Sequence, residues 1–382
     1  MEVNSFAQNV VIYKAVQTCN LDCSYCYVYN RGDDSWKSRP KISSLEVSKK
    51  LAERLLEHYN LHKLKELSLE IHGGEPLLLG KKRFKEHIEV FRNTCESINL
   101  NIFFQTNGLL LDEEWVDLLF ELKIPFSISI DGPPEVNDIH RIYKNQRGSG
   151  QELYSIIKRF QNNEKFKSLI QGYLSVINPN YNGSKIFDWF NENDFKKFDF
   201  LIPDGNYHNP PSSEPDYILK VGGFLIKAFD KWLELESEAP TIRFFETAVK
   251  SKTGLKPSLD ALGGDMTSMC VIESDGSIGC HDVLRICGGI YSKDKLNINE
   301  FPLGIHPDFF NLEKIQKPNI KCKSCKHFNS CSGGYLPHRF DGSSFDNPSY
   351  YCDGLYSFFE HVEERLIESI PDELWKTSCN NV

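Results

Sequence analysis

Residues 10–26 read VVIYKAVQTCNLDCSYC, a largely apolar run that leads directly into three closely spaced cysteines. The run Val10–Val16 predicts a buried β-strand. Cys19, Cys23 and Cys26 therefore lie on the loop at the carboxyl end of that strand, where parallel sheets carry their functional groups. This stretch predicts a parallel-sheet core with a reactive site at its edge.

The alternation of short apolar runs with amphipathic segments continues as far as residue 202. Further strands are predicted at Glu66–His72, Asn101–Gln105, Phe126–Ile130, Leu169–Val176 and Phe198–Ile202, and helices at Ser44–Tyr59, Lys81–Cys95, Asp112–Leu122, Gln151–Asn162 and Gly183–Asn193. Ser43, with Glu46 following it, predicts a capping box for the first helix. The alternation favours an α/β fold with a parallel sheet, flat or partly closed, and helices outside it.

Composition is ordinary for a soluble globular protein, because 40% of the 382 residues are hydrophobic and 25% are charged. Lys and Arg number 44 against 53 Asp and Glu, and the net charge of -9 argues against nucleic-acid and anionic-membrane partners. No apolar run approaches the length of a membrane span, and Met1–Ser5 lacks the pattern of a signal peptide. We therefore expect a cytoplasmic protein.

Most of the twelve cysteines fall into two groups. Cys19, Cys23 and Cys26 form the first group, and the second contains Cys270, Cys280, Cys287, Cys322, Cys325, Cys331 and Cys352. Grouped thiols in a reducing compartment indicate metal ligands or redox centres rather than disulfides. The first trio can hold a four-iron cluster with one iron left open, can bind zinc with a fourth ligand, or can be incidental.

Two motifs near the amino terminus resemble the signatures of radical S-adenosylmethionine (radical SAM) enzymes. They are Cys-x3-Cys-x-aromatic-Cys, with Tyr25 as the aromatic residue, and the run HGGEP at residues 72–76. The resemblance implies a partial (β/α)6 barrel, with a 4Fe-4S cluster on the cysteine trio and SAM bound to its open iron. The residues implied to contact this cofactor are Tyr25, Gly73, Gly74, Glu75, Pro76, Thr106, Asn107, Ser129, Asp131, Arg141 and Asn178.

The HGGEP motif also has a physical interpretation. Its glycines are expected to let the backbone approach the cofactor. Glu75 is expected to offer an anionic acceptor to the SAM ammonium group. The polar residues that follow the third and fourth strands can alternatively be caps of strand ends.

The second cysteine group resembles the SPASM extension of the same family. Cys322-x2-Cys325-x5-Cys331, followed by Cys352, matches the ligands of an auxiliary 4Fe-4S cluster, and zinc is the alternative for four such thiolates. A second auxiliary cluster on Cys270, Cys280 and Cys287 would have an incomplete ligand set, because Tyr335 stands where the family pattern has a cysteine. Buried thiols without a metal are the alternative for this trio.

The chain is expected to divide into four parts. Residues 1–202 form the radical SAM core, 203–262 a linker with bridging helices, 263–354 a loop-rich, cysteine-rich SPASM-like iron–sulfur domain, and 355–382 a C-terminal helix and tail. The linker is indicated by the Pro-, Gly- and Ser-rich stretch 203–215.

Two more segments, SGGYLPHR after Cys331 and FDNPSYYC ending at Cys352, resemble a subgroup of peptide maturases that form three-residue cyclophanes. This implies a C–C crosslink between an aromatic ring and a nearby β-carbon of a ribosomal precursor peptide, with flavodoxin or ferredoxin as electron donor. Asp282 is then the candidate proton acceptor, although an Asp after a turn is also a common backbone cap. Because the first strand begins near residue 10, leader recognition is expected to use the core, the extension or a separate protein.

Two other functions fit the same motifs. An anaerobic sulfatase maturase shares the core and the extension, and it oxidises Cys or Ser to formylglycine. A non-catalytic zinc scaffold that binds a peptide is an alternative of another class. Tyr335 and the segment around it favour the crosslinking enzyme.

Overall fold

The computed structural model describes residues 5–257, 259–288 and 296–369. These residues form two compact units. The first contains residues 5–130, 134–171, 266–288 and 296–314, and the second contains residues 131–133, 172–257, 259–265 and 315–369. Residues 266–314 thus group with the first strand rather than with the last four cysteines of the second group. The four-part division by sequence motif stays a prediction.

The first unit is built on a mainly parallel sheet. Its described strands are β1 Val10–Val16, β2 Leu67–Gly73, β3 Leu100–Thr106, β4 Phe126–Ser129, β7 Met269–Ile272 and β8 Ile278–Gly279. They are arranged in the order β4-β3-β2-β1-β7-β8, and only β7 and β8 pair in antiparallel fashion. The helices are α1 Leu45–His62, α2 Lys81–Thr94, α3 Glu113–Glu121, α4 Pro134–Asn137, α5 Gly150–Phe160, α6 Glu164–Leu169 and most of α10 Pro307–Ile315.

The two faces of this sheet differ in polarity. Along β2, Leu67, Leu69 and Ile71 are buried, whereas the alternate positions Glu70 and His72 are only half-buried. Since side chains alternate between the faces of a strand, the leucines and the isoleucine share one apolar face. The opposite face carries the polar side chains of the candidate site.

The amino-terminal cap of α1 differs from the prediction by one residue. The Ser44 hydroxyl, not that of Ser43, accepts a hydrogen bond from the Val47 N–H. Ser43 is buried and accepts from the Tyr13 hydroxyl at 2.6 Å. The predicted capping box at Ser43 is therefore wrong, because that side chain satisfies a buried tyrosine instead.

The second unit combines a parallel strand pair with long helices. Its elements are β5 Ile170–Val176, α7 Gly183–Glu192, β6 Phe198–Leu201, α8 Tyr217–Glu234, α9 Arg243–Lys252, α11 Ile320–Lys323, α12 Phe328–Cys331 and α13 Cys352–Ser369. Helices α8 and α13 cross closely, since a Cβ on Gly222 would lie 2.5 Å from the Gly354 carbonyl oxygen. Phe229, Phe245 and Phe358 fill the adjoining core.

The prediction of an α/β fold with a parallel core sheet is confirmed. Strands β1–β4 are parallel in the first unit, and β5 and β6 are parallel in the second. The C-terminal helix is also present, as α13. Among the described helices, none has both the length and the apolar character that a bilayer crossing requires.

We expect the free energy of unfolding to decrease as the pH falls from about 6.5 towards 4, with His58 responsible for part of the loss. Burial, helped by His62, lowers the pKa of His58 from 6.5 to about 4. Between these two pKa values the unfolded chain binds a proton at His58 and the folded chain does not. The free energy of unfolding therefore falls by about 1 kcal/mol per pH unit. Denaturant titrations between about pH 7 and about pH 5 should show a steeper loss for the wild type than for His58→Gln. Equal pH slopes would contradict this assignment.

Candidate active site

The first three cysteines lie on the loop that leaves β1. The Cys26 N–H donates to the Cys23 carbonyl at 2.9 Å, and the Leu21 N–H donates to the Cys19 sulfur at 3.4 Å. All three thiols are half-buried, and none is part of a disulfide. Burial raises the pKa of Cys19 to about 12, and the Glu75 carboxylate acts in the same direction. Such a thiol becomes a thiolate when a metal centre replaces its proton, so the trio fits iron–sulfur ligation.

The Gly73-Gly74 pair packs directly against the backbone that leads into the cysteine loop. The Gly74 N–H donates to the Val16 carbonyl at 2.7 Å. A Cβ on Gly74 would lie 2.1 Å from the Thr18 carbonyl oxygen, and one on Gly73 would lie 1.9 Å from that of Val16. The chain's own backbone therefore requires glycine at both positions, and the approach of these glycines to the cofactor stays a prediction.

Glu75 is buried and joins the ends of β2 and β3. Its Oε1 accepts from the Thr106 hydroxyl at 2.7 Å and from the Leu77 N–H at 3.0 Å, and its Oε2 accepts from the Asn107 N–H at 2.8 Å. Pro76 begins the short 3₁₀ turn that follows. Glu75 therefore positions Thr106 and Asn107, and its direct contact with the SAM ammonium stays a prediction.

Two other predicted cofactor residues reach the cysteine loop. The Asn107 side-chain amide donates to Asn20 Oδ1 at 2.7 Å and lies 3.8 Å from the Cys19 sulfur. Arg141 is 7% exposed and donates to the Tyr25 hydroxyl at 2.9 Å. The structure thus brings Tyr25, Asn107 and Arg141 together at the loop.

The remaining predicted cofactor residues lie at strand ends. Ser129 accepts a hydrogen bond from the Gln105 amide at 2.7 Å in the first unit. Asp131 and Asn178 belong to the second unit, where Asp131 accepts from the Val176 N–H at 3.0 Å and Asn178 accepts from a backbone N–H in the turn that follows it. These bonds match the alternative of strand-end caps, and a role for the three residues in binding SAM stays a prediction.

Asp282 is the centre of a buried ion-pair network. It is 2% exposed, and its Oδ1 lies 2.6 Å from Lys14 Nζ and 2.9 Å from Arg285 Nε. Its Oδ2 accepts from the Tyr27 hydroxyl at 2.5 Å. Burial opposes ionisation, but Lys14 and Arg285 hold the pKa of Asp282 well below its usual range. Because its oxygens bind side chains, the alternative of a backbone cap is wrong.

This network adjoins the cysteine loop. Tyr27 directly follows Cys26, and the ammonium of the fully buried Lys14 lies 5.4 Å from the Tyr27 ring centroid. Lys14 on β1 pairs in register with His72 on β2. Burial lowers the pKa of His72 to about 4, so its imidazole is neutral, and its buried Nδ1 has no hydrogen-bond partner among the described residues.

Arg285 extends the network to a second loop. It forms ion pairs with Asp33, at 2.6 Å, and with Glu273, and Gln17 donates to Glu273 at 2.8 Å. Sequence reasoning missed Lys14, Tyr27, Arg285 and Glu273. The one signal of this network in the sequence was Lys14 within the apolar run of β1, because a buried charge needs a partner of opposite charge.

Cys322, Cys325, Cys331 and Cys352 line a single cavity of about 410 Å³ in the second unit. Burial, aided by the Cys352 and Cys322 sulfurs, raises the pKa of Cys331 to about 12. Among the described residues, no three His, Cys, Asp or Glu side chains are arranged as ligands of a single metal ion. A cavity many times larger than the roughly 30 Å³ of one water fits a four-iron cluster better than zinc.

A backbone N–H beside this cavity points at one of its sulfurs. The His327 N–H donates to the Cys325 sulfur at 3.4 Å. Gly333 and Gly334 follow Cys331 with φ of 90° and 76°, which favours glycine. Hydrogen bonds of this kind are one of the means by which proteins set the potential of iron–sulfur clusters.

The other three cysteines of the second group, Cys270, Cys280 and Cys287, lie in the first unit and are buried. The pairing of β7 with β8 places Cys270 opposite Cys280, and burial raises the pKa of each to about 12. Cys287 ends the 3₁₀ turn that begins at Asp282. A cluster on this trio stays a prediction.

Known proteins share these features. The family model of the Radical SAM superfamily matches residues 13–178. The cysteine-type anaerobic sulfatase-maturating enzyme of Clostridium perfringens (strain 13 / Type A) is 28% identical over 378 residues, which cover 94% of this chain and 97% of the relative.

Two solved structures show the similarity in three dimensions. Native anSMEcpe with bound AdoMet and Cp18Cys peptide is 26% identical, with a TM-score of 0.80 over 94% of this chain and 98% of that one. SuiB of Streptococcus suis bound to precursor peptide SuiA is 16% identical, with a TM-score of 0.62 over 92% of this chain and 76% of that one, and shares the fold alone. The predicted α/β core is thus found in proteins of known structure.

Proposed function

Because the chain is a radical SAM enzyme, with the superfamily's domain at residues 13–178 and SAM and a 4Fe-4S cluster as cofactors, we propose that it oxidises a side chain of a peptide substrate. The sulfatase-maturating relative and the similar structure with a bound peptide support this substrate class. The observation that carries the proposal is the hydrogen bond that the hydroxyl of Tyr27, the residue directly after Cys26, donates to the Asp282 carboxylate. It holds an ionised carboxylate beside the cysteine loop.

The residues of the first unit fit these cofactors. Cys19, Cys23 and Cys26 would hold the cluster, while Tyr25 and Arg141 would line the SAM site beside it. When bound, the cofactors supply a 5′-deoxyadenosyl radical, which removes one hydrogen atom from the substrate. The contacts that hold the loop to β2 keep these side chains in place before any ligand binds.

Asp282 is suited to take up the proton that the oxidation releases. The oxidation would transfer a hydrogen atom from the substrate to the 5′-deoxyadenosyl radical, giving 5′-deoxyadenosine, and would release an electron to an acceptor and a proton to a base. Lys14 and Arg285 keep the Asp282 carboxylate ionised, so an unprotonated acceptor is present beside the cysteine loop. Its lowered pKa makes it a weak base, which suits the acidic proton of an oxidised radical rather than an ordinary C–H bond.

Formylglycine formation is the finer reaction that the comparisons support. Oxidation of a cysteine Cβ would give a thioaldehyde, and water would then replace its sulfur to leave an aldehyde and hydrogen sulfide. The similarity to sulfatase-maturating enzymes favours this reaction over the cyclophane crosslink. The zinc scaffold is wrong, because the chain is a radical SAM enzyme.

A C–C crosslink is the second candidate because of one specific residue. Tyr335 occupies the position at which the SPASM pattern has a cysteine. Its side chain is 7% exposed, and its ring packs against that of His338 at a centroid distance of 5.0 Å. A buried aromatic ring therefore stands where the family pattern places a cluster ligand.

The two candidates differ in their products. Anaerobically reconstituted enzyme would be given SAM, dithionite and either a cysteine-containing sulfatase peptide or a peptide with an aromatic residue near an unactivated β-carbon. We expect a hydrazide-reactive aldehyde in the first peptide, formed together with 5′-deoxyadenosine. If the second peptide instead loses two hydrogens and the fragment ions from between its linked residues are missing, the reaction is the crosslink and formylglycine formation is wrong. If deoxyadenosine formation responds to neither peptide, the assignment of a peptide substrate fails.

A further inference from the structure

Arg339 is the largest fully buried side chain of the protein's described residues and lies in the second unit, at 1% exposure. Among the described residues, its guanidinium donates only to backbone carbonyl oxygens. The acceptors are those of Ile315 at 3.4 Å, Gln316 at 3.0 Å, Lys317 at 2.7 Å, Phe345 at 2.9 Å and Asn347 at 3.1 Å. A guanidinium with five N–H groups is suited to such a set of acceptors.

These carbonyls belong to the two segments that lead into the cavity of the last four cysteines. Residues 315–317 precede Cys322, and residues 345–347 precede Cys352. Arg339 itself follows Cys331 after the Gly333-Gly334 turn. The side chain therefore ties together three stretches of chain that each carry a cavity cysteine.

The charge of this side chain is also unusual in its surroundings. Its acceptors among the described residues are all neutral carbonyls, and the carboxylate that acts on it electrostatically, Asp346, is exposed to water. The Cys322 and Cys331 sulfurs are close enough to act on it as well. A guanidinium stays protonated inside proteins, so a fixed positive charge lies near two of the four sulfurs in a region of low dielectric constant.

We propose that Arg339 is a positioning residue that clamps the four-cysteine site and, through its buried charge, raises the reduction potential of the cluster there. This rests on the auxiliary 4Fe-4S cluster predicted for Cys322, Cys325, Cys331 and Cys352. An electron added to the cluster makes it more negative, and a nearby cation in a poorly screened environment stabilises that state. The cluster then accepts more readily the electron that the substrate oxidation releases.

The test is a redox titration of the cluster in which electron paramagnetic resonance measures the reduced fraction at each potential. The full chain would carry Cys19→Ala, Cys23→Ala and Cys26→Ala, so that the first-loop cluster gives no signal. In this background we expect Arg339→Met to lower the midpoint potential and Arg339→Lys to stay near the parent, because lysine keeps the charge. Lys323→Met is the matched control, since this exposed cation beside Cys322 is screened by water and its removal should leave the potential unchanged.

The outcomes separate the proposal from its premise. An unchanged potential in Arg339→Met would overturn the charge role. If that variant loses its iron because its buried carbonyls are left unsatisfied, Arg339→Lys decides: a parent-like potential supports the proposal, and loss of iron or a shifted potential overturns it. If the parent, with Arg339 intact, contains no reducible cluster, the auxiliary cluster itself is wrong, while SAM cleavage by the wild-type first loop still tests the proposed function.

Discussion

An Asp282→Asn enzyme is expected to keep cleaving SAM but to form the oxidised peptide at least about 10²-fold more slowly. Asparagine has nearly the same shape, but it cannot take up a proton. The Tyr27 hydroxyl can still donate to the side-chain oxygen, whereas the amide nitrogen then faces Lys14 and Arg285. The measurement is the ratio of oxidised peptide to 5′-deoxyadenosine in single-turnover reactions. A ratio equal to that of the wild type would show that another group takes the proton.

Glu273→Gln is the matched control for this variant. Asp282→Asn leaves the buried Lys14 without its nearest counter-charge, and breaking a buried ion pair costs about 3–5 kcal/mol. Glu273 is also buried and also pairs with Arg285, but the Tyr27 hydroxyl donates to Asp282 instead. We therefore expect Glu273→Gln to lower the free energy of unfolding while keeping the wild-type product ratio. If both variants lose product equally, the effect of Asp282→Asn comes from the damaged network rather than from the missing base.

The second large effect is expected from Gly74→Ala. The new Cβ would lie 2.1 Å from the Thr18 carbonyl oxygen and 2.2 Å from the Tyr29 hydroxyl oxygen. The Gly74 backbone cannot move away without losing its hydrogen bond to Val16. Overpacking of this kind costs about 1–3 kcal/mol, and here the strain falls on the residue before Cys19. We expect loss of the iron held by the first loop, and with it the loss of deoxyadenosine formation.

Gly223→Ala serves as the comparison for this substitution. Gly223 lies within α8, and apart from its chain neighbours and the backbone of its own helix no described heavy atom lies within 4 Å of the position its Cβ would take. Alanine is the better helix former, so this variant should be more stable by up to about 1 kcal/mol and should keep its iron. Wild-type iron content and SAM cleavage in Gly74→Ala would mean that the loop tolerates displacement, contrary to our account of the glycine pair.

The core sheet could be predicted because most of its strands have a recognisable local sequence pattern. β1 to β6 are short apolar runs separated by helices with clear periodicity, and the observed bounds agree with the predicted ones to within a few residues. β7 could not be found in this way. Its pairing with β1 depends on contacts between parts of the chain far apart in sequence, which leave no local pattern.

The site was predictable where a motif carried the information. The cysteine loop and the HGGEP run pointed to the edge of the sheet where the structure places them, but the close contact of the glycines with the chain's own backbone was not foreseen. The network around Asp282 joins Lys14 and Tyr27 to residues more than two hundred positions away. No periodicity or spacing records such a pairing, and only the charge inside the apolar run of β1 hinted at it.

The pairing of β7 with β1 also bears on how the polypeptide is made. Until Met269–Ile272 has left the ribosome, one side of β1 exposes unpaired N–H and C=O groups. The nascent protein therefore has an unpaired strand edge during most of its synthesis, and this edge can pair with other chains. A fragment that stops before Met269 should accumulate as aggregates, so attempts to isolate this amino-terminal part alone would meet poor solubility.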